Sequence, residues 1–282
     1  MKKVNILSLF FLICFIGSAQ NSTEKKYALI TTVNTYGLSA LNLTDPYLSP
    51  MPYRGTGILY RHENRRFLSP DNTHISMINR LGLLGGIAQN PSKSASMIYL
   101  GTNFSWGMHY HFRPAKGIQL LVGGLWDMDF GFKTISRNVN NPVNMDLATN
   151  LNLSGIAMYN FSFLKRDLRL QLALQTPLVG YMFVPESGAS YYEMFDLGNL
   201  TNTTHFSSLH NRRDFRQTLT LDVPFKHSTL RVGLSSETLK YTANDLVFKR
   251  NEFSFVFGYT YDLLIFSGRK NKAPHNFIST NE

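Results

Sequence analysis

The sequence predicts an all-β fold, a closed antiparallel transmembrane β-barrel of ten strands, possibly twelve. Three observations predict it. Residues 168–175, LRLQLALQ, alternate leucine with Arg169, Gln171, Ala173 and Gln175 without a break, the period-two signature of a strand with one apolar and one polar face. Such runs recur at ~10–17 residues, against ~5–6 for a soluble strand and ~9–11 for a tilted membrane strand. No apolar run after the N-terminal segment reaches the ~18 residues of a membrane helix, while 21 Phe and 14 Tyr are available for interfacial girdles. A large soluble β-sandwich is the competing fold.

The chain of 282 residues opens with MKKVNILSLFFLICFIGSAQ. Lys2 and Lys3 precede a short apolar stretch, Ile6 to Ile16, and the small residues Gly17-Ser18-Ala19, which is the pattern of a secretory signal peptide over 1–19. Cys14 is the only cysteine and leaves with that signal, so the mature chain has no disulfide, thiolate ligand or thiol nucleophile. Without Lys2 and Lys3, 26 basic residues stand against 18 acidic ones, a charge of +8 that suits outer-membrane lipid and lipopolysaccharide phosphates as partners. No basic helix or aromatic RNA-binding motif occurs, so nucleic acid is not an expected partner. One barrel domain is expected over 20–266, then a polar periplasmic tail over 267–282.

Strands are expected at 27–38, 55–63, 74–86, 96–112, 117–132, 146–163, 167–183, 205–225, 229–241 and 249–265. The second and third alternate poorly. On 98–112 the even positions are Ile98, Leu100, Thr102, Phe104, Trp106, Met108, Tyr110 and Phe112, against His109 and His111 among the odd ones. On 118–132 the even face is again apolar and the odd face carries Asp127 and Asp129. On 151–163 the odd face is apolar, and on 253–263 it is Phe253, Phe255, Phe257, Tyr259, Tyr261 and Leu263. Short turns at 113–116, 165–167 and 226–228 belong on the periplasmic side. Longer connections near 39–54, 87–95, 133–145, 184–204 and 242–248 belong outside. A hairpin hidden in 184–204 would raise the count to twelve.

The last strand, NEFSFVFGYTYDLLIF, resembles the terminal signal of bacterial outer-membrane barrels, apart from the tail that follows it. Over 188–211 the arrangement SYYE-x-F…HFSS-x-HN resembles an uncharacterised group of exported β-barrel proteins of Bacteroidota. That resemblance implies an outer-membrane location and brings no catalytic residues with it.

His205-Phe206-Ser207 offers a base and a hydroxyl on one strand face. It resembles the His-x-Ser pair of outer-membrane phospholipase A and lipid A deacylase. If 205–225 is one strand, both share the outward parity of Leu219, Leu221 and Val223, and Asn211 could orient the imidazole. Calcium enters only under that reading, and no other cofactor is expected. His205 would stand roughly 20 Å above the membrane segment, and His-x-Ser arises often by chance. A polar strand extension is therefore the plainer explanation.

Asp127 and Asp129 resemble the inward acidic pair of omptin proteases, but no Asp-x-His motif accompanies them. Pairing across the 113–117 turn would set Asp127 opposite Asn103, Asp129 opposite Gly101 and His109 opposite Leu121. The plainer expectation is a lumen polar cluster of Asp127, Asp129 and Asn103 with Arg169 or Arg231, because lone charges in a narrow barrel are costly. His109 and His111 supply at most half of a metal site, and no metal is expected. Tyr191, Tyr192 and Glu193, with His210, form a candidate surface-loop site for a glycan or another partner.

The leading functional expectation is therefore a non-enzymatic barrel presenting external loops to a surface partner. A lipid acyl hydrolase and a narrow pore are the alternatives.

Overall fold

The computed structural model describes residues 27–135, 142–164, 166–225, 228–263 and 277–280. The leader expected at 1–19 and most of the tail expected at 267–282 lie outside the described residues. A short β1 (Tyr27–Ala28) leads into β2 (Ile30–Asp45), β3 (Ser49–Ser69), β4 (Asn72–Gln89) and β5 (Ser96–Ala115). These are followed by β6 (Ile118–Ile135), β7 (Val143–Phe163) and β8 (Arg166–Phe183). A short helix α1 (Tyr191–Phe195) precedes β9 (Thr204–Ser208), β10 (Arg212–Pro224), β11 (Thr229–Ala243), β12 (Leu246–Leu263) and β13 (Phe277–Ile278).

Each barrel strand pairs antiparallel with its chain neighbour, β12 returns to β2, and β8 pairs with β10. That last contact closes a ten-stranded barrel, β9 being an extension of the β10 position. Hydrogen-bonded neighbours traced once around return displaced by roughly 12 residues. With ~3.3 Å per residue and ~4.8 Å between strands, that stagger corresponds to a tilt of about 40°.

The alternation is realised as expected. On β12 the outward Phe253, Phe255, Phe257 and Tyr259 are 43–54% exposed, while Ser254 and Val256 between them are fully buried. Leu170, Leu172 and Leu174 of the LRLQLALQ stretch face outward, and Gln171 and Gln175 face the lumen. An apolar exterior around a polar interior is the make-up of an outer-membrane β-barrel. The strands, up to 21 residues long, exceed the ~9–11 that cross the bilayer, so the barrel projects beyond it.

Both strand termini lie at one end, the turn end, with connections at 70–71 and 116–117. The other end carries the longer connections and is called the loop end. Its segments differ from expectation at three places. Residues 39–54 are not a loop, since only 46–48 separate β2 from β3. There the alternation inverts: Leu41, Leu43 and Tyr53 point into the lumen, and polar Asn42, Thr44 and Arg54 point out. That inversion makes a strand outside the bilayer look like a polar connection. The 242–248 segment is a two-residue turn, Asn244-Asp245, with φ of 49° and 59°, the type I′ geometry that suits a hairpin. The 184–204 segment holds no hairpin but the single turn of α1, so the strand count is ten. Ser190 caps α1, accepting from the Glu193 N–H, while the Glu193 carboxylate accepts from the Ser190 N–H.

The loop-end half of the lumen is filled by an apolar core. Leu43, Met97, Tyr99, Ile135, Tyr241 and Phe248 are each at most 4% exposed. Fully buried Lys133 sits among them, paired with Asp45 at 2.5 Å and Asp146 at 2.7 Å, its ammonium 3.8 Å from the Phe248 ring centroid. Asp45 also accepts from Asn144 at 2.8 Å, and Asn144 accepts from the Tyr191 hydroxyl at 2.7 Å. Tyr47 donates to the Ala189 carbonyl at 2.6 Å. These bonds fasten the 46–48 turn and α1 over the barrel as a cap. At the turn end, residues 277–280 fold back, with Leu29 donating to the Ile278 carbonyl and Ser279 to Asp262.

Candidate functional site

Beneath the cap lies a cavity of about 110 Å³ lined by charged side chains, among them Arg61, Arg80, Asp129, Arg212, Arg216 and Glu237. Arg216 is its hub. Its guanidinium reaches Asp127 at 2.8 Å, Asp129 at 2.8 Å and Asp214 at 2.7 Å. Arg212 adds a second contact to Asp129 at 2.8 Å, and Arg250 pairs with Glu237 and donates to the Tyr99 hydroxyl. Nearer the turn end Glu63 holds Arg65 and Arg80, and Asp222 holds Arg231 through two bonds of 2.7 Å. Among the described residues Arg61 bonds only the hydroxyls of Thr218 and Ser235, each at 3.2 Å.

The expected lumen cluster therefore exists with partly different membership. Asn103 donates to Asp127 at 2.9 Å and to Asp129 at 2.8 Å. Arg231 and Arg169 are not the partners of these carboxylates. Arg231 is held by Asp222, and Arg169 donates to Asn160 at 2.7 Å. The register differs from that expected by two residues: Asn103 opposes Asp129, Ser105 opposes Asp127, and His109 opposes Gly123. A bulge between Phe112 and Ala115 and a tight turn at Gly117, with φ of 81°, account for the shift.

Both lumen histidines face inward but do not converge. His109 bonds Ser154 at 2.9 Å, and His111 bonds Ser76 at 2.6 Å while accepting from Gln119 at 2.8 Å. His109 thus reaches past β6 to β7, whereas His111 is held between its two neighbouring strands, β4 and β6. Among the described residues no group of three metal-ligating side chains occurs.

His205, Ser207 and Asn211 are not placed as the lipid-facing arrangement requires. A bulge at Leu178 of β8, opposite the Leu151/Asn152 step of β7, shifts the parity of the loop-end part of β8. β9 pairs with that part, Ser207 opposite Gly180 and His205 opposite Met182, so both turn toward the lumen and Phe206 points out. Ser207, 1% exposed, donates to Asn150 at 3.1 Å, not to His205, whose Nε2 has no partner among the described residues. Residues 209–211 break the expected single strand, and Asn211 closes that break by accepting from the Ser208 N–H and donating to the Phe206 carbonyl.

The surface-loop residues divide. Tyr191 packs edge-on against Tyr47 at 5.9 Å and belongs to the cap, whereas Tyr192 is 62% exposed. Glu193 is spent on the α1 cap, and bonds from Ser190 hold its carboxyl below the usual range. His210, exposed, bonds Ser208 at 2.6 Å. Phe195, Leu197 and Leu200 join Tyr192 as exposed apolar groups at 52–65%.

Sequence reading missed Lys133, Arg212, Arg216, Asp214 and Glu237. A lone Lys133 on the same inward parity as Asp127 and Asp129 was the available signal for the first; the others meet partners across the barrel, which no local spacing reveals.

The chain is similar to the outer membrane protease OmpT from Escherichia coli, at 7% identity and a TM-score of 0.45, covering 84% of this chain and 96% of that one. It is similar also to the transport unit of the autotransporter AIDA-I from Escherichia coli, at 9% identity and a TM-score of 0.44, covering 88% and 94%. Neither likeness bears on what this chain does. No curated protein matches it. A family model matches residues 5–270, and by that match the chain belongs to the family described as "Protein of unknown function (DUF3316)".

Proposed function

We propose that this barrel is a non-enzymatic, cell-surface protein of the outer membrane of a Gram-negative bacterium, exported by a cleaved signal peptide, whose capped loop end faces outward and holds a partner or glycan. The observation that supports this most is the apolar plug of the loop-end lumen, which closes the charged cavity of about 110 Å³ beneath it toward the cap. The apolar core under the cap packs the loop end of the barrel, and the carboxylates near Arg216 are engaged with arginines. Paired charges of this kind hold strands together; a general base or nucleophile needs a free lone pair near a reacting group. The exposed side chains of the cap, Tyr192, Phe195, Leu197 and Leu200, are the groups available for contact. Aromatic side chains flanked by polar ones suit sugar rings and protein surfaces alike.

The test has three arms on the purified, folded chain. Planar bilayers are expected to show no unitary conductance. Incubation with phospholipid and lipopolysaccharide, with calcium present, is expected to release no fatty acid. A glycan array is expected to give signals that a Tyr192→Ser/Phe195→Ser variant loses while its barrel stays folded. Steady conductance would make the barrel a pore. Acyl release abolished by Ser207→Ala would make it a hydrolase.

A further inference from the structure

The outward face of β10, β11, β12, β2 and β3 changes character row by row toward the loop end. One hydrogen-bonded row is apolar throughout: Leu219, Leu234, Phe255, Leu38 and Ile58. The next runs Gln217, Ser236, Phe253, Ala40 and Thr56, and the one above it Phe215, Thr238, Asn251, Asn42 and Arg54. Above that, Arg213 pairs directly with Lys240, and Lys240 with Lys249. All three are exposed, as is Arg54 one row below.

Directly opposed like charges destabilise a strand pair. None of these four cations has an ion pair among the described residues, and every carboxylate on these five strands lies on the lumen parity. The row also sits where a charged group of the bilayer would be. Each step of two residues rises about 5 Å at the tilt derived above, so on its own strand Arg54 stands roughly 10 Å, and Arg213, Lys240 and Lys249 each roughly 15 Å, above the fully apolar row. The latter is about half the ~30 Å thickness of a hydrocarbon core.

We infer that Arg213, Lys240 and Lys249, with Arg54 beside them, form a binding row for the phosphate groups of outer-leaflet lipids. The apolar rows below take the acyl chains of the same molecules, and the hydroxyl and amide groups of Thr238, Asn251 and Asn42 lie between. The phosphates offset the repulsion within the row. This inference is independent of what the cap binds.

The test uses the full, folded chain in detergent, offered vesicles of lipopolysaccharide, of phosphatidylglycerol or of phosphatidylcholine. Organic phosphate retained per barrel is measured after size exclusion, beside an Arg213→Gln/Lys240→Gln/Lys249→Gln variant. At roughly one surface-charge interaction per residue, the variant is expected to bind the anionic lipids about a hundredfold more weakly. Lipopolysaccharide favoured over phosphatidylglycerol assigns the row to outer-leaflet glycolipid, and equal retention of the two assigns it to anionic lipid phosphate in general. The Arg66→Gln control, on the outward parity nearer the turn end, is expected to behave as native. Should the triple variant not fold, Lys249→Gln alone and the salt dependence of the native chain give the same reading, with retention falling as ionic strength rises. Retention unchanged by the substitutions, or no preference for anionic lipid over phosphatidylcholine, overturns the inference.

Discussion

Arg216 is the side chain whose removal tests the lumen most directly. It binds three carboxylates at 2.7–2.8 Å, and Asp127 among them is fully buried. At an effective dielectric near 20 and ~4 Å between charge centres, each attraction is worth about 4 kcal/mol before desolvation is subtracted. After that subtraction, deleting one partner of a buried pair typically costs ~3–5 kcal/mol, because the remaining charges are left uncompensated. Among the described residues, Arg216→Ala leaves Asp214 with only Arg212, at 3.9 Å, while Arg212 still holds Asp129 at 2.8 Å. We therefore expect a loss of about 3–5 kcal/mol. Reversible urea unfolding of the barrel in lipid vesicles, followed by the fluorescence of Trp106 and Trp126, reads it as a lower midpoint at unchanged slope. Adding Asp214→Asn to Arg216→Ala is expected to recover part of the loss, since one orphaned carboxylate becomes neutral. A loss below ~1 kcal/mol for Arg216→Ala would refute the reasoning, because it would mean that lumen water screens these charges as a surface would.

Three further outcomes are expected. Leu43→Ala, in the core under the cap and fully buried, should cost ~2–5 kcal/mol in the same unfolding assay without altering the fold. Tyr47→Phe removes the bond to the Ala189 carbonyl and should cost about 1 kcal/mol, with faster hydrogen exchange confined to 185–203. In the native chain, burial and the neighbouring Asp45 push the Tyr47 hydroxyl up to about 12 from 10.0, so the folded state keeps its proton longer. The resulting stabilisation is intact below pH 10 and is lost as pH rises through about 12, which near-ultraviolet tyrosinate absorbance of Tyr47→Phe against native would show. Ser207→Ala removes one bond to Asn150 and should cost about 1 kcal/mol, with lipid composition after incubation unchanged from native.

What the amino-acid order determined by itself is everything that depends on period two. The LRLQLALQ stretch, the aromatic face of 253–263 and the even face of 98–112 declare strands because burial of alternate side chains is a property of a single strand. Ten crossings follow, and with them the inward direction of Asp127, Asp129, His109 and His111. Where both faces are polar the local signal fails. RHENRRF in β3 puts Arg61, Glu63 and Arg65 in the lumen while His62 and Asn64 join an outward network with Asn34 and Thr32. Beyond the bilayer the signal inverts, and Leu41, Leu43 and Tyr53 are buried inward where a lipid-facing strand would bury nothing.

Tertiary structure alone decided which groups meet. Arg216 finds Asp127 89 residues away in sequence, and Tyr191 finds Asn144 47 residues away, through strand neighbours and barrel closure that no local pattern encodes. It also decided where parity slips. The bulge at Leu178 and the break at 209–211 turn His205 and Ser207 from the lipid to the lumen. A one-residue bulge leaves composition and hydropathy unchanged yet reverses every side chain beyond it, so the face of that pair is a property of the closed sheet.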